Sequence, residues 1–74
     1  METKSNKRIK MKQWRVGLDM SQEQMADSLE ISRSMYSAIE NGQRYGTIPF
    51  WKKLEATHNV PAEKVYEFMT EIEF

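Results

Sequence analysis

Cysteine is absent from the sequence, and histidine occurs once, as His58. A disulfide is therefore excluded, and one histidine without carboxylates at ligand spacing does not make a metal site. We expect His58 to be a partly exposed helical residue, and we expect neither a metal nor another cofactor. A nucleophile–base set and a glycine-rich phosphate loop are missing as well, so the sequence offers no catalytic mechanism and we do not expect an enzyme.

A long hydrophobic run is also missing. The basic segment METKSNKRIK is not followed by apolar residues, so we predict neither a signal peptide nor a membrane span. Together with the absence of cysteine, which fits a reducing compartment, this favours a soluble cytoplasmic protein.

The chain has no net charge, since eleven basic and eleven acidic residues cancel. Taken alone, this counts against a nucleic-acid partner. The distribution is uneven, however, because residues 1–18 carry six positive charges and one negative, whereas residues 54–74 carry five negative and one positive. A chain with this segregation can present a positive face to phosphate.

Seventy-four residues are enough for one domain with a small core. Glycine and proline are few, β-branched alternation is absent, and apolar residues recur at three- and four-residue spacing. We therefore predict an all-α domain of five short helices over residues 7–74, preceded by a flexible N-terminal arm, residues 1–6.

The first predicted helix runs from about Lys7 to Gly17. Its inward face carries Met11, Trp14 and Leu18, and the helix should end at Gly17 or Asp19.

Two further helices follow, joined by a tight turn over residues 30–32. Ser21 opens the first with a capping box that includes Gln24, and Ser32 caps the second, which should end at Asn41-Gly42. The predicted inward residues of this pair are Met25, Ala26, Leu29, Tyr36 and Ile39, with Met35 beside them.

Thr47 is predicted to cap the fourth helix, which should fade around residues 58–59. The fifth is predicted from about Pro61. Their apolar positions are Phe50, Trp51 and Leu54 in the fourth, and Val65, Phe68, Met69 and Ile72 in the fifth.

The stretch SQEQMADSLEISRSMYSAIENGQR resembles the Cro/CI-type (XRE) helix-turn-helix family, which includes lambdoid phage repressors and short regulators of bacterial mobile elements. The resemblance covers residues 9–69 and depends most on the Ser-Gln opening and the Glu-Asn-Gly close. It implies a compact lambda-repressor-like fold with the helix-turn-helix at helices 2 and 3, and a small bacterial DNA-binding regulator, in most cases a repressor.

The third helix would then enter the major groove. A helix that starts at Arg33 exposes residues 33, 34, 37 and 38 on the face opposite its apolar residues. Arg33 is predicted to bind guanine, Ser34 and Ser37 to hydrogen-bond to bases or phosphate, and Ala38 to contact a thymine methyl group. The alternative for Arg33 is a surface ion pair with Glu30 or another carboxylate.

Six side chains are predicted to contact DNA phosphates, and they are Gln22, Ser32, Asn41, Gln43, Arg44 and Lys10. A helix N-terminus favours an anion, which supports Gln22, and Lys10 can reach the same strand together with Lys7. For Ser32 the cap is the leading role. The resemblance implies that the amides and basic side chain of residues 41–44 grip phosphate. Tyr45 can contact the sugar-phosphate backbone of the DNA or pack on the fourth helix.

The resemblance also implies an ion pair between Arg15 and Glu40; the alternative is two independent surface charges. Two positions depart from the family pattern, because Asp19 and Glu30 stand where glycine is common. Both are expected to need a left-handed backbone, at a cost on the order of 1 kcal/mol each. Ala38 is small for a reading position, so specificity is expected to depend more on DNA shape.

The leading function is sequence-specific binding of double-stranded DNA, as a homodimer on an inverted-repeat operator. The candidate dimer interface on the last helix comprises Phe68, Ile72 and Phe74. The alternative is a protein-binding module of the same fold that docks on another regulator or toxin through this helix.

Overall fold

The computed structural model describes residues 7–71, and these form five α-helices and no strand. The helices are α1 (Ile9–Gly17), α2 (Gln22–Ser28), α3 (Arg33–Glu40), α4 (Ile48–His58) and α5 (Ala62–Thr70). The predicted all-α, five-helix fold is confirmed, whereas the predicted arm, residues 1–6, lies outside the described residues. Within residues 7–71, no helix has the length and apolar character needed to cross a membrane.

Side-chain caps begin three of the helices. Ser21 Oγ accepts a hydrogen bond from the Gln24 amide at 3.0 Å, and Gln24 Oε1 accepts one from the Ser21 amide at 2.8 Å, which completes the predicted capping box. Ser32 caps α3 and Thr47 caps α4 in the same way, through the amide three residues on. Each cap satisfies a backbone donor that the first turn leaves without a partner.

α1 begins differently, since its N-cap residue makes no side-chain cap. A carboxylate from the far end of the chain takes that role. Glu71 accepts hydrogen bonds from the amides of Lys10 at 2.7 Å and Met11 at 3.3 Å. The end of α5 is thereby joined to the start of α1, and its negative charge lies where the α1 dipole favours it.

Left-handed residues close the turns after each of the first four helices, and Asn59 ends α4 with φ of 56°. Asp19 after α1 and Glu30 between α2 and α3 both have φ of 60°, and Gly42 after α3 has φ of 81°. Asn41 itself keeps a right-handed backbone, so the glycine alone makes the turn there. The helix-turn-helix angle therefore depends on a non-glycine residue in a strained conformation.

One core lies between the helices, and its buried apolar residues are Met11, Met25, Ala26, Leu29, Tyr36, Ile39, Phe50, Trp51, Leu54, Val60, Val65 and Phe68. Trp14 packs at its edge, with its ring centroid 5.5 Å from that of Phe68.

Two residues predicted to face inward are exposed. Leu18 is 46 % exposed because α1 ends at Gly17 and Leu18 already belongs to the turn. Met69 is 39 % exposed because the buried face of α5 is narrow and takes up Val65 and Phe68.

Phe68 was predicted at a dimer interface, and that prediction is wrong. Its side chain is fully buried within the monomer, against Trp14 and the other core residues. Moving it to the surface would expose a large aromatic group to water and open a cavity in a small core. Ile72 and Phe74 lie outside the described residues.

Candidate nucleic-acid interface

The four predicted base-reading residues lie together on the outer face of α3. Arg33, Ser34, Ser37 and Ala38 line one shallow depression of about 300 Å³, and the side chain of Gln43 completes its wall. The opposite face of α3 is anchored, because Tyr36 and Ile39 are buried in the core. Arg33 and Ser34 are exposed and Ser37 and Ala38 are half-buried, so the helix presents the four residues outward to different extents.

Arg33 is not held by the turn that precedes it. The carboxylate of Glu30 instead contacts Lys53 of α4, with 2.6 Å between Oε1 and Nζ. Arg33 lines both the depression on α3 and a larger groove beside it. Its guanidinium thus stands where the two concave surfaces meet.

The larger groove, of about 970 Å³, lies between α1, the N-terminal end of α2 and both ends of α3. Lys7, Lys12 and Arg33 supply its exposed basic groups and Glu23 its exposed acidic one, and the buried Arg8, Arg15 and Glu40 also line it. Lys10 does not line it, and its backbone amide is bound to the Glu71 carboxylate. Lys12 is therefore the α1 residue that sequence reasoning missed, because periodicity alone does not orient α1 relative to α3.

Glu40, at the end of α3, accepts hydrogen bonds from three side chains. Arg15 donates to it from Nε at 2.9 Å and from Nη2 at 3.2 Å, Tyr36 donates its hydroxyl proton at 2.8 Å, and Gln22 donates from Nε2 at 2.9 Å. All the buried side-chain nitrogen and oxygen atoms among residues 7–71 have hydrogen-bond partners. The ion pair that the resemblance implied is thus one part of a larger buried cluster.

The charge of Glu40 is stabilised within this cluster. Burial alone would raise the pKa of Glu40, but the hydrogen bonds from Arg15, Gln22 and Tyr36 and the charge of Arg15 outweigh it, so the pKa lies below its ordinary value. Burial, followed by the neighbouring Glu40 charge, raises the pKa of Tyr36, which therefore stays a donor.

Gln22 has a narrower role than the sequence indicates. One N–H of its side-chain amide is committed to Glu40, and the side chain is half-buried. The other N–H can still reach an anion, whereas the backbone amides of Ser21 and Gln24 are already used in the capping box. Its bond to Glu40 also fixes the start of α2 against the end of α3.

The amides of residues 41–44 are not free for phosphate, which corrects the expectation taken from the resemblance. Asn41 donates to the carbonyl of Ser37, Gly42 to that of Ile39, and Gln43 and Arg44 both donate to that of Ala38.

The side chains of this segment are more accessible than its amides. Asn41 is exposed and donates to Ser37 Oγ at 3.2 Å, and Gln43 and Arg44 are exposed as well. Tyr45 is exposed too, and its carbonyl accepts a hydrogen bond from Trp51 Nε1 at 3.1 Å. Phosphate contacts by this segment therefore fall to its side chains.

Arg8 is buried next to the candidate interface, and no sequence pattern predicts this. It is only 1 % exposed, and its guanidinium donates to the carbonyls of Phe68, Ile39, Arg44 and Tyr45. Burial lowers the pKa of Arg8, and the charge of Glu71 partly offsets this. An arginine in a basic N-terminal segment is normally solvated, so no local pattern predicts its burial.

No group of three histidine, aspartate or glutamate side chains in residues 7–71 can hold a metal ion.

The sequence model of the helix-turn-helix family of XRE type matches residues 11–65, which is most of the chain. Searches among curated proteins and among solved structures each gave no significant match. The matched range contains α2, α3 and the candidate interface between them. The chain therefore belongs to the Cro/CI-type (XRE) helix-turn-helix family of DNA-binding transcription regulators.

Proposed function

We propose that this regulator binds a specific sequence of double-stranded DNA as a homodimeric repressor of the phage or mobile-element type, with α3 in the major groove. The observation that carries the proposal is the single depression that Arg33, Ser34, Ser37, Ala38 and Gln43 share on the exposed face of α3. A major groove admits an α-helix, and side chains on its outer face can reach the base edges. The proposal implies a bacterial cytoplasmic location, where such an operator is found.

Arg33 is the main base-reading residue in this proposal. Its five N–H donors match guanine O6 and N7, and Glu30, the nearest acidic residue in sequence, is bound to Lys53. Ser34 and Ser37 add hydroxyl groups, which can form hydrogen bonds with the edges of several bases. Ala38 offers only a methyl contact, so the shape of the DNA contributes to specificity at that position.

Phosphate contacts hold α3 in register. We assign them to the side chains of Gln22, Ser32, Asn41, Gln43 and Arg44. On α1, Lys10 and Lys12 are the two candidates for a phosphate contact. Lys12 lines the groove next to Arg33, whereas Lys10 lies at the end of α5. Ser32 also caps α3, where its Oγ accepts a hydrogen bond from the Met35 amide. Its hydroxyl proton would then be donated to phosphate.

A second copy of the chain would bind the other half of an inverted repeat, with half-sites about 34 Å apart. Because Phe68 is buried, the exposed apolar residues in the described part of α5 that could contact such a partner are Tyr66, which is 65 % exposed, and Met69. The two residues are three positions apart and share one face of the helix. Ile72 and Phe74 belong to the same proposal.

Selection of bound duplexes from a random DNA library tests the proposed function. Arg33→Ala is compared with Lys64→Ala, which removes an equal charge from the exposed surface of α5, far from the depression. We expect a palindromic motif for the unchanged protein and for Lys64→Ala. Arg33→Ala should relax one base pair in each half-site, with about 5- to 150-fold less discrimination there.

The alternative, docking on another protein through α5, predicts a different result. No duplex would be enriched at low or high salt, because an apolar protein contact does not need phosphates. DNA binding must instead weaken steeply as the salt concentration rises. Absence of both a motif and a salt dependence would overturn the proposed function.

A further inference from the structure

Arg8 is buried at the point where four segments of the chain meet. Its Nε donates to the carbonyl of Phe68 near the end of α5 at 2.9 Å. Its Nη1 donates to the carbonyl of Ile39 near the end of α3 and, at 3.0 Å, to that of Arg44, and its Nη2 donates to Tyr45 at 3.2 Å. The Arg8 amide also donates to the carbonyl of Glu40 at 2.9 Å.

These carbonyl acceptors offset the cost of burying the positive charge of the Arg8 guanidinium. Burial disfavours a guanidinium ion, and no carboxylate within residues 7–71 accepts a hydrogen bond from Arg8. Carbonyls at helix C-termini carry partial negative charge, and two of the four acceptors lie at such ends. The guanidinium also lies over the ring of Trp51, with its central carbon 5.1 Å from the centroid.

The bonds of Arg8 act on the connection between α3 and α4. One end of this connection is held at Ile39 and the other at Arg44 and Tyr45, and Trp51 Nε1 donates to the same Tyr45 carbonyl. Between them, the amides of Gln43 and Arg44 turn back to the carbonyl of Ala38. The path of residues 41–45 thus depends on one side chain that comes from the start of α1.

We propose that Arg8 is a positioning residue for DNA binding, which holds the connection so that Gln43 and Arg44 meet the backbone beside α3. This inference rests on the proposed function. Gln43 lines the depression with the base-reading residues, and Arg44 bears the exposed charge of the segment. A core filled by an apolar side chain would stabilise the packing but would leave the carbonyls free to move.

Arg8→Met tests the proposal, because methionine keeps most of the buried volume and removes every side-chain donor. Lys64→Met on the surface of α5 is the matched control for charge loss. Folding is checked by circular dichroism and thermal unfolding, and binding is measured at a temperature where the variant is folded. The ligand is the duplex selected by the unchanged protein, at several salt concentrations.

We expect Arg8→Met to bind this duplex roughly tenfold or more weakly. The slope of log Kd against log salt should become shallower by about 0.9, the value of one lost phosphate contact. The selected motif should stay the same, because Arg33 and its neighbours are untouched. Amide exchange at Gln43 and Arg44 should accelerate, while exchange in α2 does not.

A purely structural role predicts another outcome. It would lower thermal stability while leaving the affinity and the salt slope of the folded variant unchanged, and this result would overturn the proposal. If Arg8→Met does not fold, Arg8→Lys decides the question, since lysine keeps the buried positive charge but its single ammonium group cannot bond to all four carbonyls. It should then show the same shallower slope, and an unchanged slope would again overturn the proposal.

Failure of the proposed function would be recognised separately. In that case the unchanged protein itself would select no duplex. If it selects one and Arg8→Met binds that duplex equally well with the same slope, only the role of Arg8 is wrong.

Discussion

Arg15 of α1 and Glu40 of α3 face each other through two hydrogen bonds, from Nε to Oε2 at 2.9 Å and from Nη2 to Oε1 at 3.2 Å. Both side chains are buried. Since Gln22 of α2 donates to the same carboxylate, Glu40 joins all three helices that surround the candidate interface. The orientation of α3 therefore depends on a charged group in the interior.

Glu40→Gln is expected to lower the free energy of unfolding by about 3–5 kcal/mol, because Arg15 then remains buried without its counter-charge. Urea unfolding followed by circular dichroism measures the change. Glu55→Gln is the matched control, since Glu55 lies on the exposed side of α4 and should change the stability by less than about 0.5 kcal/mol. Equal unfolding midpoints for the two variants would contradict this account.

His58 is expected to make stability fall as the pH drops below about 6.5. Burial lowers its pKa in the folded protein below the ordinary 6.5, so the folded state favours the neutral ring. The contribution is complete above pH 6.5 and is lost as the pH falls from 6.5 towards the folded pKa, because the unfolded chain takes up the proton first. The slope cannot exceed about 1.4 kcal/mol per pH unit for one group.

His58 is the one histidine of the chain, so His58→Gln provides a direct control. Urea unfolding at several pH values should show a flat profile for this variant over the same range. The ring also has a defined environment, since its Nε2 lies 2.9 Å from Ser28 Oγ and its plane meets Trp14 edge-on. A wild-type profile as flat as that of the variant would show that the ring titrates normally.

Local signals in the sequence were enough to predict where the helices begin. Ser21, Ser32 and Thr47 each cap the helix that follows, because the cap needs only an amide two or three residues away. The left-handed backbone at Asp19 and Glu30 is equally local. The four candidate base-reading residues could be grouped for the same reason, since they share one face of one helix.

Contacts between distant segments could not be predicted in this way. Arg8 is separated by sixty residues from Phe68, and Lys10 by sixty-one from Glu71. A basic residue near a chain end has the same local pattern whether it is solvated or buried. The choice between Lys10 and Lys12 as a groove residue depends on the rotation of α1, which tertiary packing sets.

Lys12→Gln and Lys10→Gln should therefore differ in their effect on DNA binding. Lys12 lines the groove next to Arg33, so its loss should reduce the slope of log Kd against log salt by about 0.9 and weaken binding similarly for all sequences. Lys10→Gln should leave the slope nearly unchanged. Titration of the selected duplex at three salt concentrations measures both, and the reverse order would mean that α1 presents its other side to DNA.

Gly46→Ala is expected to lower the free energy of unfolding by more than about 1 kcal/mol. Gly46 has φ of 82°, and an added Cβ would lie 3.0 Å from Trp51 Nε1 and 3.2 Å from Phe50 Cδ2. Both rings belong to the core, so neither can move away easily. Urea unfolding tests this against Gly17→Ala, where an added Cβ meets nothing within 4 Å; equal losses of stability in the two variants would contradict the steric cause.

Asp19→Gly should have the opposite effect and stabilise the domain by up to about 1 kcal/mol. The left-handed backbone costs an L-residue about 1–2 kcal/mol, and the extra freedom of glycine in the unfolded chain removes about half of the gain. Glu30→Gly should gain less, because it also loses the exposed ion pair with Lys53. Urea midpoints should therefore rise more for Asp19→Gly than for Glu30→Gly. A lower midpoint for Asp19→Gly would show that its side chain stabilises the turn by more than the backbone strain it imposes.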